Sequence, residues 1–537
     1  MSDVVLYDTT LRDGSQMEGI ALTVDDKLRI TEKLDELGIN VIEGGMPGAN
    51  PKDYEYFQHV HKLSLQHALI AAFGATRRAG ITADKDPNLQ ALLESEARMC
   101  TLVSKSDIRH VTQVLETTAV ENLRMIEESI SFLKQRGRRV VMDAEHFFDG
   151  YKHDPVYALK TLEVALAAGA ESLDLCDTNG GTLPYELTGI IDVVKKSFPS
   201  ARLGIHVHND CDMAVANSIA AYEHGVREIQ GTMNGWGERT GNANLCSIIP
   251  VLAVKKNLPV VTKEQLGKIT EVSHYMDGIA NLAPRPTQPF VGLSAFAHKA
   301  GLHAAAIAKW EMSYQHMDPE RVGNRKRVLV SELSGRGNIV TKAKEVGIDL
   351  SNDKDRVEKV LRKVKEQENK GFQYEGADAS FELLVHKAVG DYKPVFELVD
   401  YMVVMDRRQV SVDGLAGQHV RAQAMVKVRV GENVYHNAGD GDGPVNALDG
   451  AFRKALREHY AAVDSVKLID YKVRILEEAA GTAARVRVLI ESTDGKSEWR
   501  TVGSSTDIIE ASWMALSDSL EYFLLKQGAG IQHPVQA

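Results

Sequence analysis

Two histidines separated by one residue stand in the stretch GIHVHND, residues 204–210. Successive side chains of a β-strand point to opposite faces, so this spacing predicts that His206 and His208 share a face. A lone histidine is usually a satisfied structural residue, whereas two in register at a strand end favour joint binding of one metal ion. The pair therefore predicts part of a metal site that needs a third ligand.

A charged pair near the N-terminus can complete that site. Arg12 and Asp13 follow an apolar run in YDTTLRDGSQ, residues 7–16, and taken alone they are ordinary solvated loop residues. Beside the histidines, Asp13 would bind the metal, while Arg12 would aim a permanent cation at the oxygen that gains negative charge when a carbonyl is attacked. Asn242, in GWGERTGNANL, offers a neutral oxygen. This mixed donor set suits Mg²⁺, Mn²⁺ or Zn²⁺ and leaves positions for substrate oxygens.

Eight short apolar runs in the first half of the chain would bring these residues together. Segments with helical apolar spacing, such as PVYALKTLEVALAAG, lie between them. The alternation over about 250 residues predicts an α/β fold with a TIM barrel, and a doubly wound sheet is the alternative because strand number does not prove closure. The runs are VVLYDTT, NVIEGG, ALIAAFG, MCTLVS, VVMDAEHFF, SLDLCDT, RLGIHVHN and EIQGTMN.

A barrel of this kind carries its working residues at the C-terminal ends of its strands. The polar residues of this chain follow that rule, so we expect them to meet at one rim. They are Arg12, Asp13, Glu43, Glu145, Asp177, Thr178, His206 and His208.

Composition limits the classes of partner. The chain has 537 residues, is 44% hydrophobic, and carries 63 basic against 74 acidic side chains, for a formal net charge of −11. This balance disfavours nucleic acid or an anionic membrane as the main partner. The four cysteines form no C-x-x-C pair, and neither a leader-like N-terminus nor a membrane-length apolar run is evident, so we expect a cytoplasmic protein without disulfides.

The remainder of the chain predicts two further parts after a barrel at residues 1–260. Residues 261–394 are helical and polar, and we interpret them as an accessory region. Residues 395–537 contain an internal repeat, 424–456 and 484–516, in which two strands, a small-residue loop and a helix recur. The loops either hold a ligand carboxylate at the helix N-termini or only begin the helices.

The motifs DTTLRDGSQ, DTNGGTLP, HVHND, GERTGNANL and KAGLHAAA together resemble the 2-isopropylmalate, homocitrate and citramalate synthase family over nearly the whole chain. The terminal repeat is similar to the regulatory dimer domain of that family. The segments MDAEHFFDGYKHDP and YEGADASFELL are most similar to its long citramalate synthase branch.

This resemblance implies a metal-dependent Claisen condensation between acetyl-CoA and a 2-oxoacid. In the citramalate branch the acceptor is pyruvate, and the reaction opens a threonine-independent route to isoleucine. The resemblance further implies a homodimer and feedback by isoleucine.

The resemblance also assigns roles to residues. It implies that Asp13, His206, His208 and Asn242 are metal ligands. Arg12, Gln16 and Thr178 would contact substrate. From the residues alone, Glu43 could equally be a salt-bridge partner of Arg12 that does not touch the substrate. Glu145 would be an acid/base or orienting group, while His303 and Tyr314 would form a proton-transfer pair that reaches the barrel of the other subunit. Without the family, His303 would be a helix-surface histidine and Tyr314 an ordinary aromatic.

Three alternatives remain open at this point. A 2-isopropylmalate synthase would use 2-oxoisovalerate as the acceptor. A metal-dependent lyase or a biotin-linked carboxyltransferase could use the same barrel, although AMVKV lacks the spacing of a biotin site. A catalytically inactive amino-acid sensor is the third, and the intact set of polar residues argues against it.

Overall fold

The computed structural model describes residues 3–298, 303, 306, 307, 309–328, 335–390, 392–412, 415–476 and 478–529. The chain divides into two compact units. The first contains Met1–Phe296 and Met317–Lys326, and the second contains Ala297–His316 and Arg327–Ala537.

The first unit is built on a closed barrel of eight parallel strands. Each strand pairs with the next, and β1 pairs with β8 in the register Leu6 to Ile229. The closed barrel predicted from the sequence is therefore confirmed, and each of the eight apolar runs supplies one strand. The strands are β1 (Val5–Asp8), β2 (Val41–Gly45), β3 (Leu69–Ala75), β4 (Met99–Lys105), β5 (Arg139–Glu145), β6 (Ser172–Asp177), β7 (Leu203–Val207) and β8 (Glu228–Gly231).

Helices follow the strands and start at local capping signals. Thr23 and Asp26 form a capping box at the first helix, and Asp154 accepts a hydrogen bond from the backbone N–H of Tyr157 at the seventh. The helices are α1 (Val24–Leu37), α2 (Pro51–Val60), α3 (Pro87–Glu94), α4 (Ile108–Gln113), α5 (Ala119–Gln135), α6 (Phe147–His153), α7 (Pro155–Ala168), α8 (Pro184–Ser197), α9 (Ala214–Glu223), α10 (Leu245–Pro250), α11 (Lys263–Leu266) and α12 (Ile269–Ile279).

The barrel interior combines polar side chains with a small apolar cluster of Tyr7, Val41, Ala71, Met99 and Val141, while the outer faces of the strands are apolar. Tyr7 on β1 and Thr101 on β4 approach to 2.6 Å although their strands are not neighbours, so both side chains point into the barrel. Gln230 on β8 likewise reaches Asp143 on β5 at 2.9 Å. Alternate residues such as Leu6 are buried in the apolar layer shared with the helices. The strands thus direct polar side chains inwards and towards the rim.

The second unit begins with two short strands and a group of helices, followed by two three-stranded antiparallel sheets. Its elements are β9 (Ala297–His298), β10 (Arg327–Val328), α13 (Arg336–Glu345), α14 (Lys354–Asn369), α15 (Asp378–Val389), β11 (Glu397–Val412), β12 (Leu415–Val430), β13 (Asn433–Gly441), α16 (Pro444–Arg457), β14 (Lys467–Ile475), β15 (Val486–Thr493), β16 (Glu498–Ser505) and α17 (Ile508–Lys526). Across the described part of the chain, every helix is too short or too polar to cross a lipid bilayer.

The internal repeat is present in the second unit. Strands β12 and β13 with α16 form one copy, and strands β15 and β16 with α17 form the other. Phe452 and Trp513, the residues that align when the two copies are superposed in sequence, lie with their ring centres 4.5 Å apart. The equivalent positions of the two copies therefore pack against each other in one core.

Candidate active site

Arg12 is held from two sides in the turn that follows β1. Its Nε donates to Glu43 Oε1 at 2.5 Å, and its Cζ lies 3.9 Å from the ring centre of Phe73 on β3. The hydroxyl of Tyr7 donates to the other oxygen of Glu43 at 2.9 Å. Burial alone would lower the pKa of Arg12, but the carboxylates of Glu43 and Asp13 outweigh burial and raise it. Arg12 is therefore a permanent cation with a fixed orientation.

Asp13, His206 and His208 form a buried cluster at the same rim. Asp13 Oδ2 lies 3.1 Å from His206 Nε2 and 3.8 Å from His208 Nε2. The two Nε2 atoms are 3.4 Å apart. One ligand atom from each residue lies within 4.8 Å of the other two, a spacing that a single cation can bridge. The predicted shared face of the two histidines is present.

The charges of Asp13 and His208 suit a cation, while, against the effect of burial, the neighbouring Asp13 raises the pKa of His206. Burial favours neutral Asp13, yet Arg12 and His206 hold the pKa of Asp13 well below its usual range. Burial and the neighbouring His206 lower the pKa of His208 to about 4. Near neutral pH, Asp13 is therefore an anion and His208 is uncharged, and these are the protonation states in which both side chains bind metals.

Asn242 adds an oxygen without a hydrogen-bond partner in the described part of the chain. Its Nδ2 donates to the carbonyl oxygen of Trp236 at 3.0 Å, which fixes the amide. Its Oδ1 is buried and accepts no hydrogen bond within the described residues. An isolated antiparallel bridge joins Asn242 to His208. A buried amide oxygen without a partner is costly, so Asn242 fits a divalent cation held beside His208 and Asp13.

The two other predicted substrate-binding residues also follow barrel strands: Thr178 follows β6, and Gln16 follows β1. Thr178 Oγ1 accepts a hydrogen bond from the backbone N–H of His146 at 2.8 Å, which leaves the hydroxyl proton of Thr178 to donate. Gln16 ends the short 3₁₀ helix Gly14–Gln16, and its side chain is exposed. Contact of Thr178 and Gln16 with substrate stays a prediction.

Glu145 is the last residue of β5, as predicted. Its carboxylate forms an ion pair with Lys105 at the end of β4, and its Oε1 lies 3.9 Å from His146 Nε2. The ring of His146 stacks on that of His110 with ring centres 3.7 Å apart. Glu145 therefore lies on the rim with a cationic partner, and its acid/base role stays a prediction.

His303 and Tyr314 belong to the second unit. Their rings stack with centres 4.1 Å apart and an interplanar angle of 25°. Tyr314 ends the 3₁₀ helix Glu311–Tyr314 and is exposed. The two residues that the family motifs single out thus contact each other directly.

Comparisons with known proteins agree with this arrangement. A protein-family model described as HMGL-like matches residues 3–276. The chain is 50% identical over 526 residues to the (R)-citramalate synthase of Geobacter sulfurreducens, covering 98% of this chain and 98% of that protein. The chain belongs to the (R)-citramalate synthase family. The metal dependence of the HMGL-like family agrees with the cluster of Asp13, His206 and His208.

Other matches extend this similarity to the whole chain. The (R)-citramalate synthase of Aquifex aeolicus is 49% identical over 523 residues, covering 97% of this chain and 98% of that protein. The 2-isopropylmalate synthase of Methanocaldococcus jannaschii is 30% identical over 530 residues, covering 98% and 95%. A homocitrate synthase post-HMGL domain-like model matches residues 290–371, and a LeuA allosteric (dimerisation) domain model matches residues 375–524. Membership of the citramalate synthase family makes the chain an enzyme, against the alternative of an inactive sensor.

Sequence reasoning missed two side chains of this citramalate synthase site. Phe73 stands in the apolar strand LIAAFGA, where a ring that supports Arg12 cannot be distinguished from core. Gln230 stands in the buried strand EIQG, and its Oε1 lies 2.8 Å from His206 Nδ1. A polar side chain inside a fully buried strand was the one available signal for Gln230.

Proposed function

We propose that this enzyme condenses acetyl-CoA with pyruvate to give citramalate and CoA. The observation that carries the proposal is the fixed guanidinium of Arg12 directly beside the buried cluster of Asp13, His206 and His208. Pyruvate as the acceptor is supported by the 43–50% identity to proteins named (R)-citramalate synthase, against 30–31% to proteins named 2-isopropylmalate synthase.

The reaction has three steps. A base removes a proton from the methyl group of acetyl-CoA, and the resulting enolate carbon forms a bond to the keto carbon of pyruvate. The electron pair of the keto double bond moves onto its oxygen, which then takes up a proton. Water hydrolyses the thioester, so that the CoA thiol leaves and a second carboxylate forms.

The barrel residues would bind the oxoacid and stabilise the new charge. A divalent cation held by Asp13, His206, His208 and Asn242 would polarise the keto and carboxylate oxygens. Arg12 would donate to the keto oxygen, and this hydrogen bond strengthens as the oxygen becomes an alkoxide. Thr178 would donate its free hydroxyl proton to the pyruvate carboxylate.

We assign the proton transfers to His303 and Tyr314, with Glu145 as an acid/base or orienting group. Imidazole is the side chain most often used for general acid and base catalysis, so His303 is a suitable group for these transfers. The stacked geometry, with ring centres 4.1 Å apart, keeps the phenol of Tyr314 next to that imidazole.

The second unit would dimerise the enzyme and bind isoleucine. The match of residues 375–524 to the LeuA allosteric (dimerisation) domain supports this assignment. Large apolar side chains are exposed along β11 and β14, as is typical of a surface that another chain covers. They include Leu398, Val399, Met402, Val404, Met405, Leu468, Ile469, Val473 and Ile475. Citramalate as a precursor of isoleucine makes that amino acid the expected effector.

A thiol-release assay with the purified full chain tests the proposal. Acetyl-CoA is supplied with pyruvate, 2-oxoisovalerate or 2-oxoglutarate in the presence of Mg²⁺, Mn²⁺ or Zn²⁺, and the product is identified by mass spectrometry. We expect the highest kcat/KM with pyruvate, and citramalate as the product. A higher value with 2-oxoisovalerate would instead make the chain an isopropylmalate synthase.

A further inference from the structure

The two ring nitrogens of His206 have different partners. Nε2 faces Asp13 Oδ2 at 3.1 Å, on the side of the proposed metal. Nδ1 faces Gln230 Oε1 at 2.8 Å, on the side of the barrel interior. Gln230 is fully buried on β8, so water does not compete for this contact.

In the structure, the amide of Gln230 turns its nitrogen towards two carboxyl groups and its oxygen towards His206. Its Nε2 donates to Asp174 Oδ2 at 2.7 Å and to Asp143 Oδ1 at 2.9 Å. These two carboxyl groups take both amide hydrogens, so only the amide oxygen remains for His206. An amide oxygen only accepts hydrogen bonds, so His206 Nδ1 must carry the proton.

We infer that Gln230 is a positioning residue that sets the tautomer of His206. With Nδ1 protonated, the lone pair of the neutral ring is on Nε2 and points towards Asp13, as a metal ligand requires. The inference rests on the metal site of the proposed function, and it adds a residue that the sequence motifs do not contain. Asp143 and Asp174 act through Gln230, because they fix its amide.

The contacts of Gln230 are more specific than those of a buried glutamine that only has its hydrogen bonds satisfied. The contact chain crosses the barrel from Asp143 on β5 and Asp174 on β6 through Gln230 to His206. An apolar side chain of the same size would fill the space at lower desolvation cost, since a buried amide stabilises only when its partners are satisfied. Here both hydrogens and the oxygen of the amide have partners, and the oxygen meets a ligand histidine.

The test compares Gln230→Met with Gln230→Glu in the full chain. Methionine keeps the length of the side chain but cannot accept from Nδ1, whereas glutamate keeps the accepting oxygen. Gln288→Met is the matched control, because Gln288 is also buried and donates to Asn234 at 3.0 Å. Titration calorimetry of the metal-stripped proteins with Mn²⁺ measures affinity, and the absorption spectrum of the Co²⁺-loaded proteins reports the ligand set.

We expect Gln230→Met to bind Mn²⁺ about 10- to 100-fold more weakly, with a changed Co²⁺ spectrum. Gln230→Glu and Gln288→Met should stay within a few-fold of the unchanged protein. If Gln230→Met does not fold, Gln230→Asn replaces it, since it keeps the amide but is one methylene too short to reach His206.

Two results would overturn the inference. One is wild-type affinity and an unchanged Co²⁺ spectrum in Gln230→Met or Gln230→Asn. The other is a loss of affinity in all Gln230 variants that follows their loss of thermal stability, which would assign Gln230 to packing alone. An enzyme that binds Mn²⁺ in this Gln230-dependent way but forms no citramalate would leave the inference intact and refute the proposed function.

Discussion

The guanidinium of Arg12 lies over the face of Phe73, with Cζ 3.9 Å from the ring centre, while Glu43 holds Nε at its edge. A planar cation fixed on one face and one edge has little freedom to rotate. The remaining N–H groups of Arg12 therefore keep their direction before substrate arrives. This is the preorganisation that oxyanion stabilisation needs.

Replacing Arg12 by lysine should lower kcat by about a hundredfold or more, with a smaller change in the KM for pyruvate. Lysine keeps the charge but loses the planar fork that Phe73 and Glu43 hold. Steady-state kinetics on Arg12→Lys measures both constants. Arg29→Lys, on the exposed face of α1, is the control. A near-normal kcat in Arg12→Lys would instead support the interpretation of Arg12 as an ordinary loop residue.

Phe73→Leu should lower kcat by about 5- to 30-fold, the equivalent of about 1–2 kcal/mol for a cation–π contact out of water. Leucine keeps the apolar volume but not the ring face. The loss should be less than additive with Arg12→Lys, because both changes remove the same contact. Phe57→Leu, in the buried face of α2, should reduce stability and leave kcat unchanged. Additive effects of Phe73→Leu and Arg12→Lys would disprove the coupling.

Chelation should abolish activity, and adding back a divalent cation should restore it. His208→Ala removes one of the proposed ligands, so it should lose both turnover and tight Mn²⁺ binding while its circular dichroism stays native. His67→Ala, at an exposed position, should behave as the unchanged enzyme. Full activity in metal-stripped protein would contradict the metal dependence.

Glu228→Gln should change the dependence of stability on pH. Burial raises the pKa of Glu228 to about 7, from 4.5 when unfolded. A raised acid pKa stabilises the fold below pH 4.5, and this contribution is lost as the pH rises through 7. Glutamine is neutral throughout this range. The free energy of unfolding of Glu228→Gln, relative to that of the wild type, should therefore rise by up to about 3 kcal/mol between pH 5 and pH 8. Urea unfolding at both pH values measures this difference.

The exposed Glu163→Gln on α7 is the control for that measurement and should show no such gain. An equal difference in unfolding free energy between Glu228→Gln and the wild type at pH 5 and pH 8 would contradict the assigned pKa.

Isoleucine should inhibit the full enzyme more strongly than leucine. Asp442 precedes α16 and lies exposed in one repeat loop, where it can meet the ammonium group of the effector. Asp442→Asn should raise the inhibitory concentration about tenfold or more, the usual loss for a hydrogen bond to a charged group, without changing kcat. Asp494→Asn, in the turn between β15 and β16, is the control. If neither isoleucine nor leucine inhibits the enzyme, the second unit would serve dimerisation alone.

The parts of the site that the sequence could predict depend on local periodicity. His206 and His208 share a face because a strand alternates, and Asp13 meets them because barrel strands end at one rim. The eight strands and the internal repeat could be predicted for the same reason, because each corresponds to a regular pattern in the sequence.

The parts that were missed depend on contacts across the barrel. Phe73 meets Arg12, and Gln230 meets Asp143, from strands that are not consecutive in the chain. The tilt and stagger of the closed barrel determine which interior residues face each other. Neither can be predicted from the sequence of a single strand. An apolar ring and a buried amide therefore gave no sign of their partners.

The pairing of β1 with β8 joins two strands that are far apart in the chain. Thr9 donates to the carbonyl oxygen of Gly231, 222 residues further along the chain, and the proposed ligands lie on both sides of this seam. A nascent chain that ends before Gly231 contains Asp13 but cannot form the pairing of β1 with β8. Asp13 and the two histidines are close together in the closed ring, so we expect the cation to bind the finished barrel and not to template its early folding. Under this order, metal starvation in the cell would produce folded apoenzyme that fresh metal can rescue.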